Sequence, residues 1–131
     1  MVPNNTENYT VLVIPLPPPP SLNRQERMHW AVRRRLRERW KTAVRLAWHH
    51  AGRPRFHRPK ITVRFYYRNR RPRDPDNAAA AVKPILDGLK GAAWDGDDDA
   101  GTITLAPVEL HVDRQSPRVE VEICEGAVTV A

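Results

Sequence analysis

ITVRFYYRNRRPRDPDNAAAAVKPILDGL, residues 61–89, contains the change of period on which the fold turns. In its first eight residues Ile61, Val63, Phe65 and Tyr67 alternate with Thr62, Arg64, Tyr66 and Arg68, the two-residue repeat of a strand with one buried face. Asn69 to Arg73 form a basic turn. Beyond Asp74 the spacing lengthens: Val82, Ile85, Leu86 and Leu89 make one helical stripe, with Asp76 or Asn77 as the expected N-cap. Pro84 either kinks this helix or opens a fresh first turn, and Gly88 and Gly91 weaken its end.

Working outward, Tyr9–Leu16 (YTVLVIPL) is β-branched and aliphatic and predicts a first strand, stopped by the stiff Pro17–Pro20 run. Met28–His50 predicts a long helix whose apolar stripe is Val32, Leu36, Trp40, Ala43, Val44 and Ala47, with His49, His50, Gly52 and Pro54 as its stop. Two further strands are expected near Thr102–Val112 and Arg118–Cys124, with Pro107 pushing the first of them to an edge or a bulge. The order is β-α-β-α-β-β: a single α+β domain over residues 1–131, a mixed sheet packed by two helices, with residues 1–8 as a flexible lead-in. At 131 residues and 40% apolar the chain can bury a modest core. Cys124 stands alone, so no intrachain disulfide can form. That fits a reducing cytosol, although a lone thiol can still bridge two chains. The first residues have neither the basic start of a signal peptide nor an apolar run of anchor length, so a cytoplasmic chain without a membrane partner is expected.

Charge divides the chain sharply. Residues 24–73 carry 18 basic and two acidic residues, a net +16, whereas residues 74–100 carry two basic and seven acidic, a net −5. The basic block, with an overall charge of +7, calls for a polyanionic partner; nucleic acid is the commonest and an anionic membrane surface the rival. The acidic block admits three readings. Asp74 and Asp76 can be helix caps and DGDDDAG a solvated turn, but neither role requires carboxylates to crowd together. Asp95, Asp97 and Asp99 match the start of an EF-hand loop, yet Ala100 and Ala106 stand where that loop needs glycine and a bidentate glutamate. The third reading is a divalent-metal site set in a basic platform. Asp74 and Asp76 lie at a strand-to-helix junction, and Asp97–Asp99 follow the same helix. Asp76, Ala80, Lys83 and Asp87 share a helical face, which sets a lysine among carboxylates.

D-P-D-N (Asp74–Asn77), K-x-x-x-D-G-L (Lys83–Leu89), D-D-D (Asp97–Asp99) and the early P-P-S-L-N (Pro19–Asn23) together resemble the RusA-like Holliday junction resolvases, in the same order of elements from about Val11 to Ile123. The resemblance implies a small homodimeric endonuclease that needs Mg²⁺ or Mn²⁺ and no small-molecule cofactor. Such an enzyme nicks branched DNA, the four-way junction, symmetrically in recombination and repair, often for a phage or prophage. It implies that Asp74 and Asp76 are metal-binding and catalytic. The later essential aspartate falls on Asp99 when D-D-A is aligned and on Asp98 when the count runs from Lys83, with Asp99 preferred. Where the best-known members carry the catalytic lysine, this chain has Ala80; Lys83, one turn later, is taken as its equivalent.

Around this site Arg33, Arg34, Arg35 and Arg37 on the long helix, and Arg70, Arg71 and Arg73 in the basic turn, are the expected phosphate contacts. Trp30, Trp40 and Trp48 are expected in the core, His29 in a local hydrogen bond, and Cys124 as an inert strand residue. Tyr66 faces outward, where it could stack on a base. The competing readings are a non-catalytic nucleic-acid-binding module and an RNA-directed or nonspecific metal nuclease.

Overall fold

The computed structural model describes residues 9–96 and 101–126. Strands β1 (Tyr9–Ile14), β2 (Pro59–Tyr67), β3 (Thr104–Leu105), β4 (Glu109–Val112) and β5 (Arg118–Glu125) form one mixed sheet. Its order is β1-β5-β2, with β3 and β4 following each other along the far edge of β2. β5 is antiparallel to both neighbours, pairing Leu12 with Val121 on one side and Val63 with Val121 on the other, while β3 and β4 run parallel to β2. The α+β class and the mixed sheet expected from the sequence are therefore present.

The helices among the described residues are α1 (Leu22–Glu26), α2 (Trp30–His50), α3 (Pro75–Ala80) and α4 (Lys83–Leu89). The core lies between the sheet and the helices: Leu12, Ile14, Ile61, Val63, Phe65, Val119, Val121 and Ile123 from the sheet meet Trp40, Val44, Val82, Ile85 and Leu89 from the helices. Ile61, Val63 and Phe65 are buried and Tyr67 half-buried against the core, and the stripe at Val82, Ile85, Leu86 and Leu89 is buried as the periodicity requires.

Several boundaries differ from expectation for local reasons. Pro15 ends β1 two residues early, because it brings no N–H to a ladder. Pro107 divides the segment 102–112 into the short β3 and β4. The helix after Asp74 is two helices, since Pro84 lies in the first turn of a new one and the ring leaves no N–H for the turn before it. α1 was not expected; Ser21 caps it, its Oγ accepting from the Arg24 N–H at 3.3 Å. Val32 is 43% exposed and not part of the buried stripe, and Trp30, at the first turn of α2, is 62% exposed and outside the core. Trp40 is buried, and Trp48 is half-buried with its indole N–H donating to the Pro54 carbonyl at 2.8 Å. Trp94, which periodicity could not place because it follows the last helix, is fully buried.

Gly88 has a packing role that its sequence context hid. A Cβ there would lie 3.0 Å from the Val44 Cβ and 3.2 Å from the Lys41 carbonyl, so only glycine lets α4 approach α2 this closely. Arg45 spans the same contact, its Nε donating to the Gly88 carbonyl at 2.8 Å. Together they fix the helix that carries Lys83.

Candidate functional site

The C-terminal end of β2 delivers the chain to the junction of the two charge blocks. The turn after it is built by Arg73, whose guanidinium donates to the Asn69 carbonyl (2.9 Å), the Arg71 carbonyl (2.8 Å) and the Asn69 Oδ1 (3.0 Å). The same guanidinium lies over the Tyr67 ring, 3.7 Å from its centre. Burial pushes the Tyr67 hydroxyl pKa up, and the nearby Arg73 charge opposes that. Arg73 thus braces the turn, while Arg70 and Arg71 stand exposed on it.

The N-cap of α3 is Asp74, two and three residues before the two expected candidates: its Oδ1 accepts from the Asp76 N–H at 2.9 Å and its Oδ2 from the Asn77 side-chain amide at 3.2 Å. Pro75 explains the shift, since it is pre-set for the first helical position and moves the cap to the residue before it. Asp76 has no capping duty. Its carboxylate is exposed in the first turn and accepts no hydrogen bond among the described residues. Of the two aspartates, Asp74 has the structural role that capping predicts, whereas the Asp76 carboxylate adds a first-turn charge favoured by the helix dipole and takes no part in the cap.

Beside Asp74 lies a polar cleft of about 400 Å³, walled by Pro18–Ser21 and Arg24 on one side and by Tyr67, Arg71 and Asn77 on the other. The proline run reaches this position because α1 packs on α3 and Gln25 is buried, donating to the Pro20 carbonyl at 2.6 Å. The P-P-S-L-N stretch and the D-P-D-N stretch, far apart in the chain, therefore share one cleft.

On α2 Arg34, Arg35 and Arg37 are exposed and have no ion-pair partner among the described residues; the one ion pair of this helix joins Lys41 to Glu38 at 3.9 Å. Arg33 is half-buried, with its Nε shielded and without a hydrogen bond. His29 is the N-cap of α2, its Nδ1 accepting from the Ala31 N–H at 3.2 Å, so it serves locally as expected.

Lys83 is exposed at the start of α4, with its ammonium 3.4 Å from Asp87 Oδ1, and Lys90 reaches the same oxygen at 3.3 Å. The face expected to run from Asp76 through Ala80 to Asp87 is interrupted at Ala81–Val82, where α3 ends and α4 begins. After α4 the chain turns at Gly91 (φ 81°) and Trp94 plugs the core; Arg55 then ties Asp95 at 2.6 Å and the Ala92 carbonyl at 2.9 Å. Asp98 and Asp99, expected as metal ligands and Asp99 as catalytic, lie with Asp97 and Ala100 outside the described residues. Among the described residues no group of three or more His, Cys, Asp or Glu is placed to hold a metal. The acidic pair at the site is Asp74 and Asp76, and its oxygens are donors of the kind Mg²⁺ takes, typically one or two carboxylates with water and phosphate completing the shell.

The open face of the sheet carries charge of a different kind. Arg64 pairs with Glu122 and with Glu109 (3.2 Å), and Arg118 pairs with Glu120 (2.7 Å) and Asp113 (2.8 Å). Tyr66 is not free to stack on a base: its ring lies against His111, with centres 4.9 Å apart, and Arg118 covers it at 3.9 Å.

No family model matches the chain, and no curated protein is similar to it at a significant level. Among the described residues no helix is long and apolar enough to cross a membrane.

Proposed function

We propose that this chain is a metal-dependent, structure-selective DNA endonuclease of the RusA-like kind, acting in the cytoplasm on four-way junctions in recombination or repair. The observation that carries the reading is the pair at the start of α3: Asp74, whose carboxylate lines a cleft with Arg24, Arg71 and Arg73, and Asp76, an exposed first-turn carboxylate that takes no part in the cap. Asp74 keeps acceptor capacity beyond its two hydrogen bonds, since a carboxylate has about four lone-pair sites. Both residues therefore fit as holders of Mg²⁺ or Mn²⁺, which when bound supplies a Lewis acid for phosphate and an activated water.

The chain's own groups would do the rest. Arg34, Arg35 and Arg37 would draw the phosphate backbone across α2, and Arg71 and Arg24 would seat it at the cleft. Lys83, whose ammonium is held by Asp87, would offset charge developing on the phosphate. Because resolution needs two nicks placed symmetrically, a two-fold dimer is the economical assembly.

The test is incubation of labelled four-way junction, duplex and single strand with Mg²⁺, read on a denaturing gel, for the wild type and for Asp76→Asn. Paired nicks in the junction, lost in Asp76→Asn while junction binding is kept or strengthened, support the reading. Tight binding without any nick supports the second reading, a binding module with a basic platform, which the exposed arginines of α2 without ion-pair partners among the described residues favour. Loss of binding together with cleavage in Asp76→Asn would return that residue to a structural role.

A further inference from the structure

The two edges of the sheet are built differently. The far edge is made of two short strands divided by Pro107 and bears Glu109 and His111, the devices that keep an edge from pairing with another chain. The near edge, β1, has none of them: Tyr9–Ile14 is six residues without a charge, a proline or a bulge, in a chain that is 28% charged. β1 pairs with β5 alone, so its outer row of backbone groups faces away from the sheet without a strand partner among the described residues. Beside it an apolar groove of about 840 Å³ runs between β1 and α2, lined by Leu12, Leu16, Ala43, Leu46 and Ala47. Val13 is 52% exposed on the open face and Leu46 56% exposed on the helix wall, so apolar surface continues around both sides of the bare edge.

We infer that β1 is the seam of a homodimer, in which β1 of one copy pairs antiparallel with β1 of a second and the sheets become continuous. The chemistry of the edge asks for an extended strand, since only a strand meets a row of alternating N–H and C=O groups. The occupant is a second copy because the surface complements itself, as a closed two-fold interface must. It offers both the strand and the groove, with the projecting Leu46 as a side chain to enter that groove. Its rim carries Glu38 beside Arg39, so a two-fold turn can set each charge against its opposite. A two-fold axis perpendicular to the sheet leaves both helix layers on one side, which brings the arginine-bearing α2 helices of the two copies to either side of the seam. The inference deepens the dimer of the proposed function by naming its interface, and it is measured without reference to activity.

The experiment is sedimentation velocity of the full chain, wild type against Val13→Lys, Leu46→Glu and, at the other edge, Val112→Lys. Val13 lies opposite Glu120 in the ladder, so a lysine there is accommodated by the folded single chain. The expected result is a dimeric wild type and dimeric Val112→Lys, with Val13→Lys and Leu46→Glu reduced to monomers of unchanged circular dichroism. Amide exchange in the wild type gives a second reading that needs no variant: protection of Val11 to Ile14 rises with protein concentration. A monomeric wild type, whose edge would then be left to residues 1–8 or to another protein, overturns the inference. So does a dimer that survives both Val13→Lys and Leu46→Glu, or β1 protection that ignores concentration. A dimer broken by these variants in a chain that never nicks DNA keeps the interface and discards the nuclease. Paired nicking by a dimer indifferent to them does the reverse.

Discussion

Arginine is used in two ways on opposite sides of this molecule. On the open sheet face Arg64 is answered by Glu122 and Glu109, and Arg118 by Glu120 and Asp113, with the four carboxylates drawn from β4, β5 and the turn between them. On α2 Arg34, Arg35 and Arg37 are exposed and unanswered by any described residue. A cation already held by two carboxylates has little left for a phosphate, whereas an unpaired one repels its neighbours and gains when a polyanion arrives. Counting residues gives one basic chain; pairing them gives one self-neutralised face and one face that asks for a partner.

The largest expected difference is in binding. Replacing Arg34, Arg35 and Arg37 together by alanine should weaken junction affinity by about 100-fold or more at low salt and flatten the log–log salt dependence by about 0.9 for each phosphate no longer neutralised. Arg64→Ala should leave both unchanged. Electrophoretic mobility shifts over a salt series measure the two variants side by side, and equal losses would erase the distinction. Next in size is stability. Arg64→Ala strands Glu122 on a half-buried surface and should cost about 1–2 kcal/mol in urea unfolding, where Arg35→Ala costs almost nothing. Arg45 sharpens the comparison from within α2, because it belongs to the answered class through the Gly88 carbonyl. Arg45→Ala should lower stability by about 1 kcal/mol and change DNA affinity less than any one of its exposed neighbours.

The smallest effect is with pH. Glu109 is held below its usual carboxylate range chiefly by its hydrogen bond to His111, and Asp113 chiefly by Arg118. A carboxylate whose folded pKa is depressed contributes stability above its unfolded value, and that contribution is lost as pH falls through the folded one. Thermal midpoints should therefore decline on acidification below the ordinary carboxylate range. Arg118→Ala should remove the Asp113 share, so its decline with acid should be shallower than that of the wild type.

What the sequence disclosed follows what period can carry. Residues 61–67 and the stripe at Val82, Ile85, Leu86 and Leu89 were legible because alternation and helical spacing each point one face inward. Val32 and Trp30 were misplaced for the same reason: spacing gives a face but not where along its length the helix leaves the core. The helical stripe alone points to Asp76 or Asn77 as the cap, while the capping reading of the acidic block includes Asp74; Pro75 is the signal that decides for Asp74. Alternation places Tyr66 outward, as found, but carries no sign of its partners His111 and Arg118, which lie far along the chain on other strands and cover its ring. The meeting of the proline run with D-P-D-N, and the pairing of Arg64 and Arg118, likewise depend on tertiary packing that no local pattern records.

The position of β5 sets the order in which the molecule can be made. This last strand lies between β1 and β2, so Tyr9 finds its partner at Cys124 and Lys60 finds the same residue from the other side. A nascent chain that has released α2 and β2 still has no sheet, only two strands waiting for a third. The β1–β5–β2 part of the sheet therefore closes only when Arg118–Glu125 is available, through contacts of long sequence separation, and a slow last step follows from the topology.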